Sequence, residues 1–314
     1  MKYVYVLVGN KNTLYFEQTC VSAYSLKLHN PGANITLVVD QQTHDYIEGK
    51  SSVLLSYFDY ILVGDVPSND SNKRKSRVLK TKLRELIKGD YLFIDSDTII
   101  CDSLDGISAM EGDFIAVLDK HLLLDVHPRR SRIIKKLSDI KYDIKREDKE
   151  FFNSGVTFVR DTPFMHKFYS IWYEEWEKGC KYGVDSDQPS LLIANQKCGY
   201  PIKEIDGVWN CQIIENGLKF LIDAKILHYF SSDGKDSCFE FKNDSIFKEI
   251  KINGYIPDST KELVKNAKKA FSNKMQIVSG KEADFLETSV HKVYVYHKRI
   301  FNIIEYLMCL LYGK

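Results

Sequence analysis

The stretch Tyr91-Leu92-Phe93-Ile94-Asp95-Ser96-Asp97-Thr98-Ile99-Ile100 decides the reading of this chain: four apolar residues, an acid-serine-acid triplet, then three more strand formers. A short continuous apolar run of this kind reads as a strand buried on both faces. Such strands belong to largely parallel sheets covered by helices, and in open α/β sheets ligands bind beyond the carboxyl ends of the strands. The triplet is thereby delivered to the edge where chemistry is expected.

Working upstream, Tyr3 to Val8 is another continuous apolar strand, running into Gly9-Asn10-Lys11-Asn12, and Ile35 to Val39 and Tyr60 to Val63 are two more. Thr13 is placed to cap a helix through His29, with Phe16, Cys20, Ala23 and Leu26 at helical spacing and Asn30-Pro31-Gly32 ending it. A basic segment, 72 to 84, leads into a helix from Arg77 whose apolar stripe is Leu79, Leu83, Leu86 and Ile87, stopped by Gly89. Downstream, Phe114 to Leu118 is a buried strand ending in Asp119. Residues 120 to 150 are charged and weakly periodic and read as a mobile or acceptor-facing insertion rather than core. Phe151-Phe152-Asn153-Ser154-Gly155 opens a strand to Val159. Pro163 starts a helix carrying Phe164, Phe168, Trp172 and Trp176 inward, and Asp185-Ser186-Asp187-Gln188-Pro189 introduces a short helix, Ser190 to Asn195. The strand Lys225 to Leu227 delivers His228. Strands alternating with helices at this rhythm predict an α/β fold with a mostly parallel central sheet.

Composition narrows the function. The 314 residues are 44% hydrophobic, enough for one large or two modest cores, and 44 Lys and Arg against 43 Asp and Glu leave a net charge of +1. That balance argues against nucleic acid as a partner. Seven widely spaced cysteines with no Cys-x-x-Cys pair fit a reduced, cytoplasmic compartment and argue against structural zinc. The opening MKYVYVLVGNKN reads as a buried first strand rather than a leader, and no run of about 18 apolar residues marks a spanning helix.

Two carboxylates one residue apart at a strand end, Asp95 and Asp97, can turn toward one hard cation and leave open positions for diphosphate oxygens. The alternative is a solvated turn. His228 offers a third ligand for such an ion or a buried structural imidazole. Arg77 and Lys80 either stand over phosphates or form a solvated helix face. Asp187, two residues before Pro189, suits a helix cap equally well, and Asn153 suits a turn.

In order and spacing, the Arg77 helix, YLFIDSDTII at 91 to 100, FNSG at 152 to 155, DQ at 187 to 188 and the late His228 resemble family eight glycosyltransferases. This GT-A-fold group includes glycogenin and bacterial lipopolysaccharide galactosyl- and glucosyltransferases. The resemblance covers about residues 1 to 235. It implies that Asp95, Asp97 and His228 hold Mn²⁺ or Mg²⁺ on the diphosphate of a nucleotide sugar, with Ser96 near the ribose and Arg77 and Asn153 at the donor sugar. It further implies that Asp119 lies near the donor and acceptor hydroxyls, that Asp187 and Gln188 are catalytic residues on the β face of the anomeric carbon, and that Lys235 reaches the pyrophosphate. Two departures stand out: Val8-Gly9-Asn10-Lys11 lacks the family's Asp and Tyr after the first strand, and the stretch after His228 lacks its Gly, Pro and Trp pattern. The activity implied is metal-dependent hexose transfer with retention, from UDP-Gal or UDP-Glc to a glycan or glycolipid acceptor of a cell-surface polysaccharide or lipopolysaccharide. The rivals are a haloacid-dehalogenase-type phosphatase using Asp95 and Asp97, and a non-catalytic sugar-nucleotide-binding protein.

The expected organisation is a GT-A catalytic domain over 1–237 and a helical, basic C-terminal extension over 238–314. Residues 241 to 314 hold 13 Lys and Arg against 8 Asp and Glu, a net +5. The apolar, aromatic end from Val293 to Tyr312 reads in two ways: a helix packed on the catalytic domain, or an interfacial helix on an anionic membrane surface at the inner membrane face.

Overall fold

The computed structural model describes residues 1–213, 215–231, 238–273 and 278–312. The strands in chain order are β1 (Lys2–Leu7), β2 (Asn34–Val39), β3 (Tyr60–Val63), β4 (Tyr91–Ile94), β5 (Thr98–Ile100), β6 (Phe114–Leu118), β7 (Phe152–Val159), β8 (Ile202–Glu204), β9 (Cys211–Gln212) and β10 (Ile226–His228). Seven of them form one sheet in the order β3-β2-β1-β4-β7-β6-β8, and three form a small one, β5-β10-β9. In the large sheet β7 runs antiparallel to both neighbours, while the remaining pairings are parallel. The mostly parallel α/β sheet expected from the apolar runs is therefore present.

The acid triplet occupies the corner between the sheets: the chain leaves the large sheet at Ile94 and enters the small one at Thr98. Two antiparallel registers decide what arrives beside it. Ile94 pairs with Val156, which sets Asn153-Ser154-Gly155 alongside Asp95, and Thr98 pairs with His228, which sets the imidazole beside Asp97. Side chains alternate along a strand, so a one-residue slip in either register would turn these groups away.

Each face of the large sheet carries an apolar core. One is closed by the helix Tyr15–His29, the small sheet and the aromatic residues Phe239, Phe241 and Phe247, so residues 239 to 271 pack into the same core as β1 and β2. The other is closed by the helices Asn72–Thr81 and Pro163–Lys181 through Leu79, Phe168 and Trp172. Full burial of a side chain such as Leu79 stabilises by about 1.5–3 kcal/mol, and two such layers fix the strand ends that carry the triplet.

Several local expectations are corrected. Thr13 does not cap the first helix: its hydroxyl closes a turn with the Asn10 backbone, and the helix starts at Tyr15 without a side-chain cap. The arginine helix begins earlier, at Asn72 with Ser71 as cap, and breaks at Lys82 before a last turn, Leu83–Leu86. Phe164 points outward, because Met165 takes the inward place next to Phe168 and Trp172. Residues 120 to 150 are not a bare insertion: the helix Arg130–Asp139 buries Ile133 and Leu137 in a third apolar cluster with Phe151, Val184 and Leu192. Charged residues outnumber apolar ones over this stretch, and that hid the stripe in the sequence.

The tail divides. Three helices, Lys281–Glu287, Ser289–Tyr296 and Lys298–Tyr312, follow the core-packed part. On the last, Ile303, Leu310 and Leu311 are 61%, 64% and 76% exposed. No helix among the described residues is long and apolar enough to cross a membrane.

Candidate active site

The site is built from the corner outward. Asp95 leaves β4 with its amide donating to the Gly155 carbonyl (2.7 Å), and Gly155 has to be glycine: a Cβ there would lie 2.5 Å from His228 Cε1 and 2.7 Å from Asp95 Oδ2. Asp95, Asp97 and His228 each offer a ligand atom, and these atoms lie within 4.8 Å of one another. The trio comes from two well-separated stretches of the chain, and the structure unites it.

His228 is oriented from behind. Its Nδ1 lies 3.0 Å from Asn210 Oδ1, and Asn210 Nδ2 donates to Asn153 Oδ1, so the amide presents oxygen to the ring. Nδ1 therefore carries the proton of that bond and Nε2 faces the acids, 3.3 Å from Asp97 Oδ1. An imidazole held this way beside two carboxylates is a donor set of one nitrogen and two oxygens that suits Mn²⁺.

The two carboxyls are pushed apart electrostatically. Burial raises Asp95 above its ordinary value against the pull of Lys80, with Asp97 adding to the rise. Burial opposes the charge of Asp97 as well, but His228 and the Ser231 amide, which donates to Oδ2 (2.9 Å), outweigh it and hold Asp97 well below the carboxylate range.

Lys80 is no solvated helix residue. It is buried, with Nζ 3.5 Å from Asp95, 3.2 Å from Asp187 and 3.1 Å from Ser154 Oγ, and it lies over the Phe93 ring. Arg77, one turn earlier on the same face, pairs with Asp187 Oδ1 at 3.0 Å. Asp187 is thereby spoken for on both oxygens, since Oδ2 also accepts from Ser154 (2.8 Å). Burial resists its charge, yet Arg77 and Lys80 hold its pKa well below the ordinary value. Asp187 is the first residue of the helix Asp187–Lys197, which starts three residues before the expected Ser190. The carboxylate looks into the site rather than capping.

Asp119 leaves β6 buried, accepting from Asn153 Nδ2 (2.9 Å) and lying 3.0 Å from His127 Nε2. These bonds overcome burial and lower its pKa. Gln188 donates to the Phe152 carbonyl (3.2 Å) and faces a separate cavity that Asp119 also lines. Ser96 receives the Thr19 hydroxyl at 2.8 Å. Asp95, Ser96, Asp97 and Arg77 share one cavity of 390 Å³ with Tyr15 and the end of β1. Of the expected residues, Lys235 lies outside the described residues.

Sequence reasoning missed the supports. Thr19, Ser22 and Ser25 form a polar stripe at i, i+3 and i+6 on an otherwise buried helix. They hold Ser96, Thr98 and the Ile100 amide, so one helix face clamps the corner. Lys120, His121 and Phe230 adopt positive φ (55°, 56° and 49°) around the site, with the Phe230 ring stacked on His228 and Lys120 Nζ 4.3 Å from that ring's centre. Strained backbone of this kind gathers where surrounding structure enforces it. The signals available in sequence were the Ser and Thr stripe and the three-residue spacing of Arg77 and Lys80.

No family model matches this chain, and no curated protein sequence does. Its fold matches solved structures: galactosyltransferase LgtC in complex with donor and acceptor sugar analogs is 16% identical with a TM-score of 0.50, the match covering 83% of this chain and 99% of that one. The apo form of the glycosyltransferase GlyE of Streptococcus pneumoniae TIGR4 is 16% identical with a TM-score of 0.51, covering 85% and 64%. The bifunctional glycosyltransferase WbbM is 14% identical with a TM-score of 0.51, covering 84% and 51%. The fold is the GT-A glycosyltransferase fold that the motif order implied.

Proposed function

We propose that this protein is a metal-dependent, retaining glycosyltransferase of the family-eight type that moves a hexose from a UDP-linked sugar, UDP-Gal or UDP-Glc, to a glycan acceptor. The observation that carries the reading is the Asp95, Asp97 and His228 trio, whose two acids line the cavity with Arg77 and Ser96. The donor set and the Asn210-fixed ring fit Mn²⁺ or Mg²⁺. When bound, the ion supplies positive charge for the leaving diphosphate. The fold match also disfavours the phosphatase alternative, whose Asp motif belongs to a different architecture.

The chain's own residues then divide the work. Arg77 adds a fixed cation toward the diphosphate, and Ser96, held by Thr19, meets the ribose. Tyr15 offers an aromatic face for the base where the family's usual residues after the first strand are missing. Asp187 serves as the anchor of Arg77 and Lys80, its oxygens being occupied, while the Gln188 amide is the dipole on the β face of the sugar. Asn153 and Asp119 orient donor and acceptor hydroxyls. Transfer breaks the bond from the anomeric carbon to the diphosphate oxygen, which takes the electron pair. The acceptor oxygen forms the new bond on the same face, and its proton passes to the diphosphate. Lys235 contributes a further cation there on the strength of its sequence position.

The exposed apolar residues of the last helices, with the net +5 of residues 241–314, support contact with an anionic lipid surface at the inner membrane face. There the enzyme meets a growing cell-surface polysaccharide or lipopolysaccharide. The test of the core reading is a thermal-shift screen of nucleoside diphosphate sugars with and without Mn²⁺, followed by UDP release. Selective, Mn²⁺-dependent stabilisation by a UDP-hexose with UDP release is expected. Phosphate release from p-nitrophenyl phosphate would return the phosphatase reading, and binding without turnover would make the protein a sugar-nucleotide binder.

A further inference from the structure

A second cavity, of 180 Å³, is separate from the first but linked to it through the chain: Asp187 pairs with Arg77 of the first cavity, and its neighbour Gln188 lines the second. Arg129, Arg132 and Lys136 line it at i, i+3 and i+7, on one face of the helix Arg130–Asp139 and its N-terminal flank. Ile133, on the same face, is buried in the cluster with Phe151 and holds the helix in place. The facing carboxylate, Asp119, is already committed to His127 and Asn153, and nearby Asp185 is paired with Lys73 at 2.6 Å. Lys136 is half-buried and donates to Ser186 Oγ (2.9 Å). Burial, Arg132 and Lys73 all push its pKa down, against the pull of Asp185 and Asp187. Arg132 and Lys136 sit beside the residue proposed for the β face of the donor sugar, in a pocket whose apolar walls, Phe151, Ile133 and Pro189, suit the apolar face of a sugar ring.

We infer that this pocket receives an acceptor sugar bearing an anionic group, a phosphate ester or a carboxylate, close to the hydroxyl that is glycosylated, with Arg132 and Lys136 holding the anion. Planar guanidinium and ammonium groups bind such oxygens through charge-assisted hydrogen bonds. The inference rests on the reading of Asp95 and Asp97 as the donor end, which places the acceptor beyond Gln188.

The test measures binding of glucose 6-phosphate, glucuronate and methyl glucoside to the full-length protein without donor, in low and high salt. One of the two anionic sugars should bind roughly tenfold or more tighter than the neutral one, with the gap closing at high salt. Arg132→Gln with Lys136→Gln should remove that preference, and Arg132→Lys should keep most of it. Arg132 is exposed, so its replacement leaves folding intact. A phosphate preference identifies a phosphate-ester acceptor and a glucuronate preference a uronic acid. Equal binding of all three sugars, or a preference that survives the double substitution, overturns the inference. UDP release by the unaltered protein is read separately. Release without anionic preference sinks this inference alone, and preference without release sinks the transferase reading while leaving the anion pocket.

Discussion

The corner at Asp95-Ser96-Asp97 and the helices from Lys281 to Tyr312 treat their side chains in opposite ways. At the corner nearly every polar atom meets a partner and the apolar residues behind it are buried on both sides: Asp97 is held by Ser231 and His228, Asp187 by Arg77, Lys80 and Ser154, and Ile94 and Ile99 are fully covered. In the last helices Ile300, Ile303 and Leu307 face outward. The apolar surface whose burial fixes the corner stays exposed in the tail, so the first region is held by its own chain and the second is not.

The largest expected effect lies at the corner. Asp97→Asn should keep the fold and cut Mn²⁺-dependent transfer by roughly a hundredfold or more, the scale of a few kcal/mol of lost electrostatic stabilisation. Full transfer by wild type in EDTA would break the contrast at its root. Next comes Gly155→Ala, whose added methyl collides with His228 and Asp95. Mn²⁺ affinity should fall on the order of tenfold, read by titration, with far-UV circular dichroism unchanged.

Stability sharpens the comparison. Trp172→Ala should cost about 3–5 kcal/mol, because a fully buried indole is lost together with its hydrogen bond to the Asp187 carbonyl, whereas Leu307→Ala on the exposed tail should change unfolding free energy by less than about 0.5 kcal/mol. A large loss at Leu307 in urea denaturation would show that the tail helix packs against the rest of the fold. If the tail is the proposed lipid-binding surface, the full-length protein should sediment with anionic vesicles and deletion of residues 290 to 314 should leave a folded protein that does not, whereas no sedimentation of the full-length protein, or unchanged sedimentation after deletion, would end that reading.

The smallest effect concerns acid. Asp119, facing His127, Lys120 and Asn153, has a folded pKa below the ordinary carboxylate value of about 4. Its contribution to stability is complete above that value and is lost as pH falls through the lower folded one. Urea midpoints should therefore drop more steeply below about pH 4 in wild type than in Asp119→Asn. Parallel acid limbs would mean that Asp119 gains nothing from its partners.

The sequence by itself determined β1, β2, β4 and β6 and the acids that follow β4 and β6, because a buried strand has to be written as a continuous apolar run and its end is where polar residues resume, whereas the short β8 and β9 carry no such run. It determined the order of Arg77, Asp95, Asn153, Asp187 and His228, and hence the fold those motifs imply. Tertiary structure decided who meets whom. The sequence leaves Lys80 open between a phosphate contact and a solvated helix face; in the fold β7 sets Ser154 beside it and the start of the Asp187 helix supplies a carboxylate 3.2 Å away. Asn210 had no signal at all, since its role exists only where β9 and β10 bring it behind His228. Residues 120 to 150 read as surface because charge outnumbers apolar side chains there, yet a few of those side chains suffice when Phe151 and Leu192 wait opposite. Local patterns are set by neighbours a few residues apart and so can be read along the chain. Ion pairs, supporting hydrogen bonds and strand registers join residues as far apart in the chain as Asp97 and Ser231, and only packing selects them.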